Sequence, residues 1–115
     1  MRKHILNEFI VMDETALAAS LASNETVVEQ LDSVRYTVEW ANGNAPDMEI
    51  MLQYSNDNVN WYDLQMDAVP TINTASGEHT IDIDLIISKY LRLMITVTSG
   101  DADVSIKVKG TTTGA

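Results

Sequence analysis

Apolar and polar residues alternate one for one through most of this chain. That rhythm restricts it to extended segments, because successive side chains point to opposite faces in a β-strand. Val34, Tyr36, Val38 and Trp40 share one face, and Arg35, Thr37 and Glu39 share the other. Ile50, Leu52 and Tyr54 repeat the pattern against Glu49, Met51 and Gln53. It returns in Glu78 to Leu85, in Leu91, Leu93, Ile95 and Val97, and in Val104, Ile106 and Val108.

The breaks in the rhythm predict the connections. Ala41 to Pro46 holds Asn and Gly, which accept positive φ, and a proline without a backbone donor, so the chain is expected to turn there. Ser55 to Asn58 is read as the corner of a hairpin that re-emerges as Trp61 to Met66, and Gly100-Asp101 as a short turn before the last strand. Val27 to Leu31 is read as a further strand and His4 to Met12 as another. Asp13 to Asn24 fits either period, since Leu17 and Leu21 are four apart while Leu17, Ala19 and Leu21 share an extended face; the extended reading is preferred. Residues 110–115 are expected to form a flexible tail.

Seven or eight short antiparallel strands, each with one polar face, predict an all-β antiparallel sandwich of jelly-roll or immunoglobulin-like kind, with an arm or first strands within residues 1–25. The 115 residues suit a single domain. No apolar run reaches the roughly 20 residues of a membrane-spanning helix. Asn7, Glu8, Asp13 and Glu14 break up the opening segment, so no export signal is read there. The sequence has no cysteine, which removes disulfides and thiolate metal sites. Seventeen acidic against seven basic residues give a net charge of −10, unfavourable for nucleic acid.

No catalytic residue, cofactor site or metal site is assigned. Asp82 and Asp84, about 7 Å apart on one strand face, could serve cation binding or acid-base work but are read as the wet face of a strand, and Asp101 and Asp103 are read as a solvated turn because a full calcium-ligand pattern is missing there. His4 and His79 lack a second histidine at ligand spacing, no serine occupies a nucleophile elbow and no Gly-rich loop leads into a helix. Trp40 is read as buried, and Trp61 is assigned to the core, leaving Tyr62 at the surface. Arg2 and Lys3 beside Ile5 and Phe9 describe a cationic, apolar arm able to add a strand to a neighbouring protein, and equally a first strand of the chain's own sheet. Arg2, Lys3, Ile5, Phe9 and Tyr62 are therefore the candidate partner-binding residues.

The order of these elements is itself informative: a strand ending in Trp40, a Gly-containing connection, a strand, then Ser55-Asn56-Asp57 and Trp61. It continues with Ile81-Asp82-Ile83-Asp84-Leu85, Lys89 to Leu93, Thr98 to Ala102 and Lys107 to Gly110. From Val27 to Gly110 this order resembles small β-sandwich proteins encoded in the structural gene blocks of tailed bacteriophages. The Ser-Asn-Asp…Trp element also resembles discoidin and carbohydrate-binding jelly rolls. The phage resemblance implies a virion component without catalysis, a head decoration protein or part of a fibre. An acidic subunit suits the outer surface better than the DNA-filled interior. A small domain without disulfides gains from repeated contacts in a homo-oligomer, with a trimer favoured.

The leading expectation is thus an outer capsid decoration or cement subunit, made in the host cytoplasm and bound to capsid or other virion proteins, with no nucleic-acid or membrane partner. The alternative is a glycan-binding or adhesion module built around Tyr62, Tyr54 and the loops at Asn42 to Asp47 and Asn56 to Asn60.

Overall fold

The computed structural model describes residues 5–29, 31–64, 70–84 and 88–111, with side chains from Glu8 onward. It is all-β: β1 (Ile5–Leu17), β2 (Leu21–Ala22), β3 (Thr26–Val27), β4 (Ser33–Ser55), β5 (Tyr62–Asp63), β6 (Thr71–Ile72), β7 (Gly77–Ile83) and β8 (Tyr90–Thr111). All pairings are antiparallel, and they join the eight strands into one hydrogen-bonded sheet.

Two long strands organise it. β4 pairs with β8 along their whole length, from Ser33 opposite Thr111 to Ser55 opposite Tyr90. β1, β2 and β3 follow one another down the free side of β8, from Ile5 opposite Thr111 to Val27 opposite Tyr90. β5, β6 and β7 do the same along β4, from Tyr62 opposite Tyr54 to Ile83 opposite Val34. The result is a ribbon four strands wide.

The ribbon doubles back on itself. Fully extended, the 23 residues of β4 would reach about 75 Å, yet the longest dimension of the molecule is 48 Å. The bend falls where the register shifts: from Ala41 to Met48 β4 advances seven residues while β8 moves six, from Asp103 to Val97. The extra residue makes a bulge, which bends a strand and strengthens its twist. Asn42 and Ala45 take positive φ there (54° and 47°), and Gly100 does so on β8 (73°). Cross-links between distant levels prove the folding over. Tyr36, opposite Val108, bonds Thr26, opposite Leu91, and Asn24 N donates to Val11 O.

Two layers follow, sharing β4 and β8. The first holds β1, β8 from Ala102 onward, β4 up to Trp40, and β7; the second holds the rest. Between them lie the alternating inward residues, Val34, Tyr36, Val38 and Trp40 against Met48, Ile50 and Leu52, with Leu91, Leu93, Ile95, Val104, Ile106 and Val108 from β8. At the end opposite the bend, Val28 and Asp32 tie to different layers: Val28 N donates to Lys89 O and Asp32 N to Thr111 O, while the Val28 side chain is fully buried. Where β1, β2 and β3 part from one another, side chains complete the ladder, since Ser23 Oγ accepts from Leu93 N and Ser20 Oγ from Val97 N.

Several expectations change. Ala41 to Pro46 and Gly100-Asp101 are not turns between separate strands; β4 and β8 run through both as bulged bends, and the buried Pro46 falls in the unpaired stretch, where its missing donor does no harm. Of the arm and first-strand readings, the structure selects the strand: Ile5–Leu17 pairs with β8, and Val11, Met12 and Leu17 enter the core. The strand expected over Val27 to Leu31 is only Thr26–Val27, because the chain must then cross to the other layer. Gly110 and Thr111 belong to β8 and not to a loose tail; the rest of that tail lies outside the described residues. The extended reading of Asp13 to Asn24 matches β1 and β2.

Candidate docking surface

The doubled ribbon presents two outer faces with different chemistry. On the first layer the outward positions are Arg35, Thr37 and Glu39 on β4, Ser105, Lys107 and Lys109 on β8, and Thr80 and Asp82 on β7, all polar or charged, with the exposed apolar Ile10 opposite Lys107 on the edge strand β1. Arg35 Nε donates to Asp82 Oδ1 at 2.6 Å, an exposed ion pair. A shallow groove of 480 Å³ runs past it, lined by Ser33, Arg35, Asp82, Asp84, Lys109 and Thr111. Its mixed charges favour no single ion.

On the second layer the outward positions are Glu49, Met51 and Gln53 on β4, Tyr90, Arg92, Met94 and Thr96 on β8, Val27 on β3, Asp63 on β5 and Thr71 on β6. A row of polar contacts crosses three strands: Arg92 Nε donates to Gln53 Oε1 at 2.8 Å, and Gln53 Nε2 to Asp63 Oδ1 at 2.9 Å. The guanidinium lies 4.2 Å from the centre of the Trp61 ring. Trp61 is therefore not a core residue as the sequence suggested. It precedes the two-residue strand β5 and is half-buried beneath Arg92 on the outer face.

The loop between β4 and β5 is the expected hairpin corner, and Asp57 ties it together. The Asp57 carboxylate accepts from Asn60 N and Val59 N (Oδ1, 2.8 and 2.9 Å), from Asn60 Nδ2 (Oδ2, 2.9 Å) and from Ser55 Oγ (Oδ1, 2.9 Å). Those donors, the Asn60 amide first, hold its pKa well below the usual carboxylate range. Beyond the corner, Tyr62 is exposed, its ring centre 5.7 Å from that of Tyr54.

One carboxylate near the bend, that of Asp103, serves the fold. Asp103 accepts from Asn42 Nδ2 at 2.7 Å and from Ala16 N at 2.8 Å, contacts that lower its pKa and join β8, β4 and β1. Among the described residues no three histidine, aspartate or glutamate side chains are grouped to hold a metal ion.

The predicted partner-binding residues do not converge. Arg2 and Lys3 lie outside the described residues, as does the side chain of Ile5. Phe9 and its neighbour Ile10 are exposed on β1, on the β8 side of the sheet, whereas Tyr62 sits on β5, on the β4 side. Sequence reasoning missed Arg92. The available signal was a lone cation between Leu91 and Leu93, two residues that alternation sends inward.

No family model matches the chain, and no characterised protein matches it in sequence. Among solved structures it is similar to the crystal structure of the SPBc2 prophage-derived protein YomS, with a TM-score of 0.59 and 18% identity over 97% of this chain and 96% of that one. At that identity the two share a fold along their whole length.

Proposed function

We propose that the protein is a non-enzymatic structural subunit of a phage particle, seated on the outside of the head as a decoration or cement subunit. The observation that carries this reading is the fold shared with a prophage-derived protein over 97% of the chain. The order of motifs from Val27 to Gly110 agrees with it. A charge of −10 favours a position away from packaged DNA. Its partners are capsid or other virion proteins and copies of itself, a trimer being the favoured oligomer. Arg2, Lys3, Ile5 and Phe9 are candidate contacts. Mass spectrometry of gradient-purified particles tests the reading: it expects this chain in many copies per particle, and its absence from particles of the phage that encodes it would end the proposal.

A second reading has one observation in its favour, the exposed Tyr62 ring beside Tyr54. Sugar rings stack on such aromatics, so the β5 edge suits a glycan of a fibre or cell surface. Glycan-array binding that disappears in Tyr62→Ala would favour it, and an array with no signal for the unaltered protein would remove it.

A further inference from the structure

We propose that the outer face of the second layer is the docking face, and that Arg92 is its anchor, receiving an aspartate or glutamate carboxylate of a shell protein. This rests on the structural-subunit reading above.

The first argument is the contrast between the two outer faces. A sandwich bathed in water on both sides has the same reason to be polar on both. Here the apolar side chains are placed differently: on the first layer the exposed ones, Phe9 and Ile10, lie on the edge strand β1. On the second, Met51 and Met94 sit on the central strands β4 and β8 with Tyr90, Trp61 and Val27, the last 63% exposed, beside the polar Glu49, Thr71 and Thr96. Methionine, aromatic residues and arginine are the types enriched at the centres of protein interfaces.

The second argument is the state of Arg92. Stacking on Trp61 and the Nε bond to Gln53 fix its plane, and Asp63 fixes Gln53 in turn. The chain carries 17 acidic residues, yet no carboxylate of the described residues lies within ion-pair reach of Arg92. A guanidinium has five N–H donors, and among the described residues one is used. The Nη donors remain as a planar fork whose ordering entropy is already spent, the arrangement that suits bidentate capture of a carboxylate.

Charge complementarity thus names the partner group, and the surrounding apolar side chains place it on a protein. A sugar would need the Trp61 face that Arg92 covers. A second copy of this chain is a poor occupant on size: four strands by about seven residues make a patch of roughly 19 by 23 Å, short of the roughly 800 Å² per partner of a stable isolated interface. On a shell, several subunits of one oligomer bind at once, and avidity supplements the small patch.

The test is co-sedimentation of the purified full chain with particles assembled without it, each variant first checked for an unchanged thermal melt. Arg92→Glu and Val27→Glu are expected to weaken binding at least about tenfold, as interface anchors do, and Lys107→Glu, on the opposite face, to leave it within about twofold. The exposed Val27 position keeps the test valid if Arg92→Glu does not fold. If both second-layer variants bind like the unaltered protein, the docking face is wrong while the structural-subunit reading stands; if the unaltered protein binds no particle, that reading fails as well. A change in oligomer mass by light scattering in Arg92→Glu, with particle binding intact, would assign the face to a second copy and overturn the proposal.

Discussion

Tyr36 and Thr26 belong to opposite layers, and the Tyr36 hydroxyl donates to Thr26 Oγ1 at 3.2 Å inside the core. Both side chains are buried, and the contact crosses a largely apolar core. Tyr36→Phe removes the donor, and a typical buried hydrogen bond is worth about 1 kcal/mol net. Urea unfolding is expected to show a loss of about 1–2 kcal/mol; an unchanged midpoint would mean that the layers do not meet at this contact.

The same residue makes the protein sensitive to alkali. Burial raises the Tyr36 pKa above its ordinary value, with the Thr26 bond acting the other way to a smaller extent. A raised folded-state pKa means that the contribution is fully present below the unfolded value of about 10 and is lost as pH rises beyond it, because the unfolded chain releases the proton first. Stability is expected to fall by about 1.4 kcal/mol per pH unit in that window from this group, and Tyr36→Phe is expected to remove that part of the slope. Equal alkaline slopes in the two proteins would contradict the assignment.

Asp57 gives the opposite dependence, and locally. Its folded-state pKa is depressed, so its hold on the hairpin corner is complete above the ordinary carboxylate value of about 3.9 and fades as pH falls below it. Amide exchange at Val59 and Asn60 is the direct readout. Asp57→Ala is expected to lose protection there at neutral pH while β4 keeps it; full protection in the variant would show that the loop holds itself without the carboxylate.

At the bend, a Cβ on Gly100 would collide with the Ala45 carbonyl, and the backbone there has φ of 73°. Gly100→Ala combines left-handed strain with a clash against backbone that cannot swing aside, so about 2–4 kcal/mol of destabilisation is expected. Thermal denaturation measures it. A loss under about 0.5 kcal/mol would mean that the bulge tolerates movement the present geometry excludes.

Because β1 supplies Val11, Met12 and Leu17 to the core, a chain beginning at Ala18 is expected to lose its cooperative unfolding transition. Phe9→Ser and Ile10→Ser, at exposed positions of the same strand, are expected to stay within about 0.5 kcal/mol of the unaltered protein. A truncated chain that still melts cooperatively would restore the arm reading of this segment.

Alternation made the two inner faces legible from sequence alone: Val34 to Trp40 and Leu91 to Ile95 point inward as their rhythm requires. What it could not distinguish is a turn from a bulge. Asn42, Gly43 and Pro46 have the same local chemistry in either, and the outcome depends on whether the flanking segments pair with each other or with one shared neighbour. β4 and β8 are each the other's shared neighbour, so both run through their bends. That relation spans half the chain and leaves no mark in any short window. Trp61 failed for a related reason, since its partner is Arg92, 31 positions away, and an edge segment with two paired residues does not impose the alternation of a long strand.

The most direct test of the account is an electron cryomicroscopy map of the particle at side-chain resolution. It should show the two-layered domain on the outside of the head, with Arg92, Met51 and Met94 against the shell and Lys107 and Lys109 toward solvent. A domain found inside the shell, or one whose methionine face looks outward, would contradict it.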